Sequence, residues 1–441
     1  MKNFNVRAFV STLSVILAML CSDSFAQKNQ IVITGKVADK TTQEPLPYAT
    51  ISIVGKSIGV VSNQLGEFAF KLSDQYDNDT LMISMMGYTT YKCKIENIPD
   101  RNNLLVQLDP KTIILSEVVI TDKKLTAKEI VEKAIANIPL NYTQEPYLLN
   151  GFYRDYKKEN EKYIALLEAA IAIYDRGYIA PRPKQRRQLQ EKVYINEIRK
   201  SKIVNYKAAI YTNLNLLDGL LISNDVRYVN FALDINAKKY ELEKYVYLDE
   251  QLVYVINTNY PWFSRVFIDA TSYAILEIEM DARWEGTDKN EWKMNDSIMN
   301  RTTFIKKNIK FKRHEGKYHL EYMSYSWRIE GFIKSTNRIL FTSDFYQELL
   351  VNSIITTNAT RPAQGNLMNE ENVLELQTKP YNEAFWQSYN IIRESPLNKQ
   401  IVKDLEEAGA LEEQFKKSSI NKKEEKTINR SKKQPSQRLK N

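Results

Sequence analysis

Two cysteines and two histidines in 441 residues leave little from which to build a reactive or metal-binding site. A Cys-rich metal site, a disulfide framework and a mechanism that needs a His cluster are all excluded by this scarcity, and a Ser-His-Asp triad would have to use one of the two hairpin His. No G-x-S-x-G elbow, phosphate-binding loop or dinucleotide fingerprint occurs. No stretch of 18 or more apolar residues occurs, so no helix is expected to span a bilayer. What remains is a chain with 43% hydrophobic and 26% charged residues, the composition of folded globular domains.

The first residues read as a targeting segment. Lys2 and Arg7 precede an apolar run from Ala8 to Cys21, and Ser24-Phe25-Ala26 offers small residues two apart. This order is that of a secretory signal peptide, residues 1–26, cleaved after Ala26. Leu20 stands before Cys21 where acylation would want a small residue, so lipid attachment at Cys21 is not expected. Cleavage leaves Cys93 alone, in the alternating stretch Tyr91–Ile95, where it reads as a small core filler.

Charge is concentrated at the other end. The chain carries a net charge of +8, and residues 416–441 hold ten basic side chains against two acidic ones. The body is therefore close to neutral. The segment 416–441 reads as a solvated basic tail that can touch anionic head groups. A nucleic-acid partner is not expected, since the body lacks a basic face.

Residues 27–111 read as a β-sandwich. Seven short alternating stretches, from Ile31–Val37 to Asn103–Leu108, are separated by turn residues every 8–12 positions. Gly66 is expected at positive φ in a tight turn opened by Asn63. Gly35-Lys36-Val37, Pro45-Leu46-Pro47-Tyr48-Ala49, Val54-Gly55 and Gly66-Glu67-Phe68 resemble the carboxypeptidase regulatory-like domain, a transthyretin-like sandwich. The resemblance implies a non-catalytic accessory module, similar to the N-terminal extension of TonB-dependent outer-membrane transporters. Leu115–Thr121 is similar to a segment that contacts TonB in such transporters. Residues 112–124 are read here as a linker, because no series of lipid-facing strands follows.

Residues 125–415 read as an α+β domain with an antiparallel meander. Thr126 and Glu129 form a capping pattern before a helix whose apolar face holds Ile130, Val131, Ala134, Ile135 and Ile138. Strand patterns follow at 148–157, 162–174, 226–235, 241–248, 252–257, 264–269, 274–282, 302–313, 318–330 and 339–356. Gln185–Ser201, Ala208–Leu221 and Lys399–Lys417 read as helical. The strand-turn-strand unit Arg265–Ile275 resembles the repeat of lipoprotein-carrier half-barrels of the bacterial envelope. The expected fold class is thus mainly β: a seven-stranded sandwich followed by an α+β domain.

Candidate chemistry is sparse. His314-Glu315-Gly316-Lys317-Tyr318-His319 is one residue too long for H-E-x-x-H and reads as an exposed hairpin without a third ligand. Glu277, Glu279 and Asp281 alternate on one strand and read as a solvated outer face. No catalytic, metal or cofactor residues are assigned, and no cofactor is expected. The aromatic content, with 27 Tyr, is the remaining signal. Tyr245, Tyr247, Tyr260, Trp262, Phe263, Tyr325 and Trp327 are the candidate ligand surface. The reading is a non-enzymatic envelope protein, periplasmic or outer-membrane-associated, that binds a lipid, glycan or protein partner. The alternatives are a protein that docks on an outer-membrane transporter by strand addition, and a hydrolase with an unfamiliar carboxylate site.

Overall fold

The computed structural model describes residues 30–113, 125–179, 190–203, 240–258, 264–284, 291–369, 377–393 and 396–418, together with Leu217, Leu220, Leu221, Val226 and Leu374. The chain is mainly β. Seven strands build the N-terminal sandwich: β1 (Gln30–Asp39), β2 (Thr50–Ile53), β3 (Gly59–Val61), β4 (Glu67–Ser73), β5 (Thr80–Ser84), β6 (Tyr91–Lys94) and β7 (Leu104–Leu108). They form one sheet in the order β4-β1-β7 and a second in the order β3-β2-β5-β6. β4 shows why: Phe68, Phe70 and Leu72 are buried while the residues between them are half-exposed, the period-2 pattern of a strand covered on one face. The β3–β4 turn forms as its residues require. The Asn63 side-chain oxygen accepts from the backbone N–H of Leu65 and of Glu67, both at 2.9 Å, and Gly66 has φ +74°. Cys93 is half-buried on β6, at the margin of the sandwich core.

A short helix α1 (Ala127–Ala136) and the turn α2 (Ile138–Asn141) lead into the second region. α1 starts at the Thr126–Glu129 capping box, with both reciprocal hydrogen bonds formed, and buries Ile130, Val131 and Ala134. A single large antiparallel sheet follows. Its strands are β8 (Thr112–Ile113), β9 (Tyr147–Glu159), β10 (Lys162–Asp175), β11 (Lys192–Lys200), β12 (Tyr240–Leu248), β13 (Gln251–Thr258), β14 (Ser264–Asp269), β15 (Ile275–Arg283), β16 (Glu291–Lys293), β17 (Ile298–His314), β18 (Lys317–Ile333) and β19 (Ile339–Ile355). The order is β11-β10-β9-β19-β18-β17-β15-β14-β13-β12-β8, with β16 beside β17. Helices α3 (Glu383–Ser388), α4 (Pro396–Glu406) and α5 (Leu411–Ser418) close the described chain. Among the described residues no helix is long and apolar enough to cross a membrane.

Both faces of this sheet are covered. One face packs on α1, α2 and Leu217, Leu220 and Leu221, through residues such as Tyr153, Ile171, Met323 and Leu349. The opposite face carries Phe152, Ala170, Tyr322 and Leu350, which join the sandwich core together with Trp386 and Ile392. β10 accordingly reads as an almost continuous buried run, the pattern of a strand with no solvated face.

Two expectations need correction. Lys192–Lys200 is a strand, not part of a helix over 185–201; residues 180–189 lie outside the described residues. Val193, Ile195 and Ile198 all enter the core, and their two-then-three spacing mimics a helical face. The cause is a β-bulge: Glu197 pairs with Ala170 and Ile195 with Ile171, so Asn196 is an extra residue that shifts the phase. Glu277 is not on a solvated face. It is 5% exposed, because the sandwich lies over its side of β15. The predicted helix over 208–221 and strand over 226–235 fall almost wholly outside the described residues, as do Leu115–Thr121 and 419–441.

A charged cavity at the seam between sandwich and sheet

The ends of β15, β17 and β18 meet the sandwich at a seam. Alternation puts Lys310 and Lys312 of β17 on one face, and their ammonium groups reach across to sandwich carbonyls. Lys310 donates to the Tyr48 oxygen at 2.8 Å and Lys312 to the Ser57 oxygen at 2.9 Å. Glu277 lies opposite Lys310 in register and forms an ion pair with it at 3.5 Å. Asn308 donates to Glu277 at 2.8 Å. Glu321 sits where β18 bulges against β17 and accepts from the Thr50 hydroxyl at 3.0 Å. Long charged side chains of the sheet thus serve as tie-rods to the backbone and hydroxyls of the sandwich.

The fit leaves a cavity of about 490 Å³. Its sandwich wall is β2, β5 and the residues after them, including Met82, Met85 and Met86. The sheet wall brings Glu277, Lys310, Lys312, His314 and Glu321, with Leu276 and Phe311 as apolar ground. His319 stands beside it. It is the register partner of Lys312, and its ring lies 6.3 Å from that of His314. His319 is 1% exposed, packs edge-on against Tyr147, and neither ring nitrogen has a hydrogen-bond partner among the described residues.

Burial governs the protonation here. It pushes His319 down to about 4, helped by the neighbouring His314 and Lys312. Lys312 is also lowered by burial, against the pull of Glu321. On β15, Glu279 is raised by burial and by the adjacent Glu277. Among the described residues no three His, Cys, Asp or Glu side chains are placed to hold a metal ion.

A second buried charge cluster lies on the same face of the sheet, under the chain that follows β19. Arg154 donates to Glu168 at 2.7 Å and to Glu348 at 3.2 Å, and Arg199 donates to the other oxygen of Glu168 at 2.6 Å. The remaining oxygen of Glu348 accepts from Tyr346 at 3.0 Å and Tyr322 at 3.3 Å. Burial opposes ionisation of Glu168, but Arg199 and Arg154 hold it below the usual carboxylate range. For Glu348 burial outweighs Arg154 and the two hydroxyls, and its pKa is raised. The segment after β19 closes the cluster. Arg154 also donates to the Ile392 carbonyl, and Trp386 packs under Arg199. The Asn390 side chain bonds both backbone groups of Lys71 on β4, each at 2.8 Å. This occupies an edge strand that would otherwise stay open.

The predicted aromatic surface separates into parts. Tyr325 and Trp327 stack at 4.8 Å, and Trp327 stacks on Phe345 at 4.8 Å; Lys307 lies over Tyr325, its ammonium lowered to about 8 by burial. Tyr245 and Tyr247 are on β12, five strands away, roughly 24 Å at about 4.8 Å per strand. Tyr245 is buried beside Tyr254, and Lys111 covers the Tyr247 ring. None of these four lines the cavity. Tyr260, Trp262 and Phe263 lie outside the described residues. His314 and Glu277, each first noticed in a separate metal-like pattern, do meet at the cavity. The methionines and lysines that complete it had no sequence signal beyond ordinary strand alternation.

Sandwich and sheet together define a two-part β protein in which a seven-stranded sandwich packs on one face of a long antiparallel sheet. Residues 33–120 match the CarboxypepD_reg-like domain, and the chain carries that domain. No curated protein sequence matches the chain. Among solved structures it is similar to a LolA superfamily protein from Nitrosomonas europaea, at 11% identity and a TM-score of 0.17, covering 54% of this chain and 99% of that one. It is similar to lipovitellin at 12% identity and a TM-score of 0.25, over 50% of this chain and 26% of that one. A membrane-associated protein of unknown function from Bacteroides fragilis shows 11% identity and a TM-score of 0.15, over 74% and 98% of the two chains. All three likenesses are remote.

Proposed function

We propose that this is a non-enzymatic binding protein of the cell envelope that holds a small amphipathic molecule in the seam cavity. The observation that carries this reading is the cavity itself: about 490 Å³, set between two modules, with apolar side chains such as Met82, Met86, Leu276 and Phe311 among eight charged ones. Ligand sites favour such module boundaries and this size range. Met82, Met85 and Met86 supply a deformable apolar wall for an aliphatic or ring body. Lys312, Glu277 and His314, which line it, supply hydrogen-bonding groups for its polar end. Few aromatic rings line the cavity, which favours a lipid-like body over a stacked sugar. The volume is too small for a folded partner.

The absence of catalysis is part of the proposal. It is supported by the carboxylates Glu168 and Glu348, whose oxygens are all engaged by guanidinium or phenol groups. The envelope location is supported by the basic, apolar, small-residue order of residues 1–26. Native mass spectrometry of the full chain, isolated from its own envelope fraction without detergent, tests the reading. A bound small-molecule mass is expected, and Ser84→Trp, which fills the cavity from β5, should remove it. A bare protein mass, or a ligand that survives Ser84→Trp, would refute the cavity as the site.

A further inference from the structure

The far ends of β17, β18 and β19 form a second surface with a different character. Two turns meet there, β16–β17 and β18–β19, and the Lys334 N–H donates to the Ser297 carbonyl at 3.0 Å to join them. Ile339 and Leu340 lie beyond Ser343, the last residue of β19 that pairs with β9. The tip therefore projects past its neighbour in the sheet. Nine large apolar side chains stand exposed among the described residues, and three of them are here: Met294 at 38%, Ile339 at 48% and Leu340 at 37%. Exposed apolar side chains scattered singly need no explanation, but three at one end of the sheet do.

The charge around the cluster identifies its counterpart. Lys334 and Arg338 are exposed on the same turn, and Lys293 is exposed on the other, paired with Asp296. No other acidic side chain lies in either turn, residues 294–297 and 334–338. The local excess is cationic on a body that is otherwise near neutral. Apolar side chains flanked by cations match a lipid surface with anionic head groups, where the apolar groups enter the acyl boundary and the cations meet phosphate. A protein groove would satisfy the apolar groups but would leave unexplained Lys334 and Arg338, which have no ion pair among the described residues. We propose that this tip is a membrane-contact point that inserts Met294, Ile339 and Leu340 into an anionic lipid surface. β17 runs from this tip to the seam, about 50 Å at ~3.3 Å per residue, so contact would hold the cavity at a fixed height above the membrane.

Co-sedimentation of the full chain with vesicles tests this. Phosphatidylcholine vesicles should bind it weakly and vesicles with added phosphatidylglycerol should bind it well. Because the basic C-terminal residues are present in every variant, losses caused by tip substitutions report on the tip. I339S/L340S should lower the partition coefficient at least about tenfold. K334S/R338S should lower it roughly thirtyfold on the anionic vesicles. These side chains are exposed, so thermal melting should be unchanged in both. Equal binding by wild type and both variants would overturn the proposal and assign lipid attraction to residues 416–441. Failure of the wild type to bind anionic vesicles would overturn it as well.

Discussion

Two clusters of buried charge occupy the same face of the long sheet, and they are built in opposite ways. Around Arg154 every carboxylate oxygen has a donor, two guanidiniums share Glu168, and the segment after β19 seals the cluster. At the seam, among the described residues, Lys312 donates to one backbone carbonyl beside an open volume, and the nearby His319, packed on Tyr147, has no hydrogen-bond partner on either ring nitrogen. Buried charge is costly unless its hydrogen-bonding capacity is met. The first cluster meets that condition internally and acts as a clamp between sheet, sandwich and C-terminal segment. The second does not, and the groups it lacks can come from a ligand. The contrast sets satisfied against unsatisfied polarity within one protein.

The comparison can be broken at the clamp first. Arg154→Ala would leave Glu168 and Glu348 sharing a buried site with two of their five donor contacts gone. A loss of about 3–5 kcal/mol in urea unfolding is expected. A change under about 1 kcal/mol would mean that the cluster is not a clamp.

The seam should show itself through pH. His319 is held neutral in the folded chain, with its pKa lowered from 6.5 to about 4. The unfolded chain therefore binds this proton more readily. The stabilisation is full above pH 6.5 and is lost as pH falls through 6.5 toward 4, by about 3 kcal/mol. His319→Phe should flatten this part of the stability profile while leaving stability at pH 7.5 nearly unchanged. An unaltered slope in the variant would place the acid sensitivity elsewhere.

A milder cut sharpens the clamp account. Tyr346→Phe removes one hydroxyl from Glu348 and leaves Tyr322 and Arg154 in place. About 1.5 kcal/mol should be lost, the worth of a hydrogen bond to a charged group. The smallest effect is expected at the seam. Lys312→Met exchanges a half-buried cation with one carbonyl partner for an apolar side chain of similar length, so stability should change by less than about 1 kcal/mol in either direction. Ligand retention should nevertheless fall. A large loss of stability in Lys312→Met would make the seam a second clamp and erase the distinction.

The residues differ in how much of this they announce. The sandwich was legible because β4 and its neighbours alternate strictly and because Asn63 and Gly66 have few other uses in a turn. α1 was legible through Thr126 and Glu129. β11 misled because the bulge at Asn196 gave a strand the spacing of a helix. Glu277 misled because alternation tells which residues share a face, not what covers it. The clamp and the seam were illegible for a related reason. Arg154, Glu168 and Glu348 stand on three separate strands, and Thr50 and Glu321 are 271 positions apart. Only the docking of sandwich on sheet turns such residues into sites. The aromatic residues were the opposite case: a conspicuous composition that resolves into separate stacks, with Tyr245 and Trp327 serving as packing in different places.

The most direct test is the electron density of the seam in crystals of the full chain purified without detergent. The account predicts continuous non-protein density in the cavity, with a polar end within hydrogen-bond distance of Lys312 or Glu277 and an apolar body against Met82 and Met86. Ordered water alone, bonded to Lys312 and Glu277, would contradict the assignment of the cavity as a ligand site.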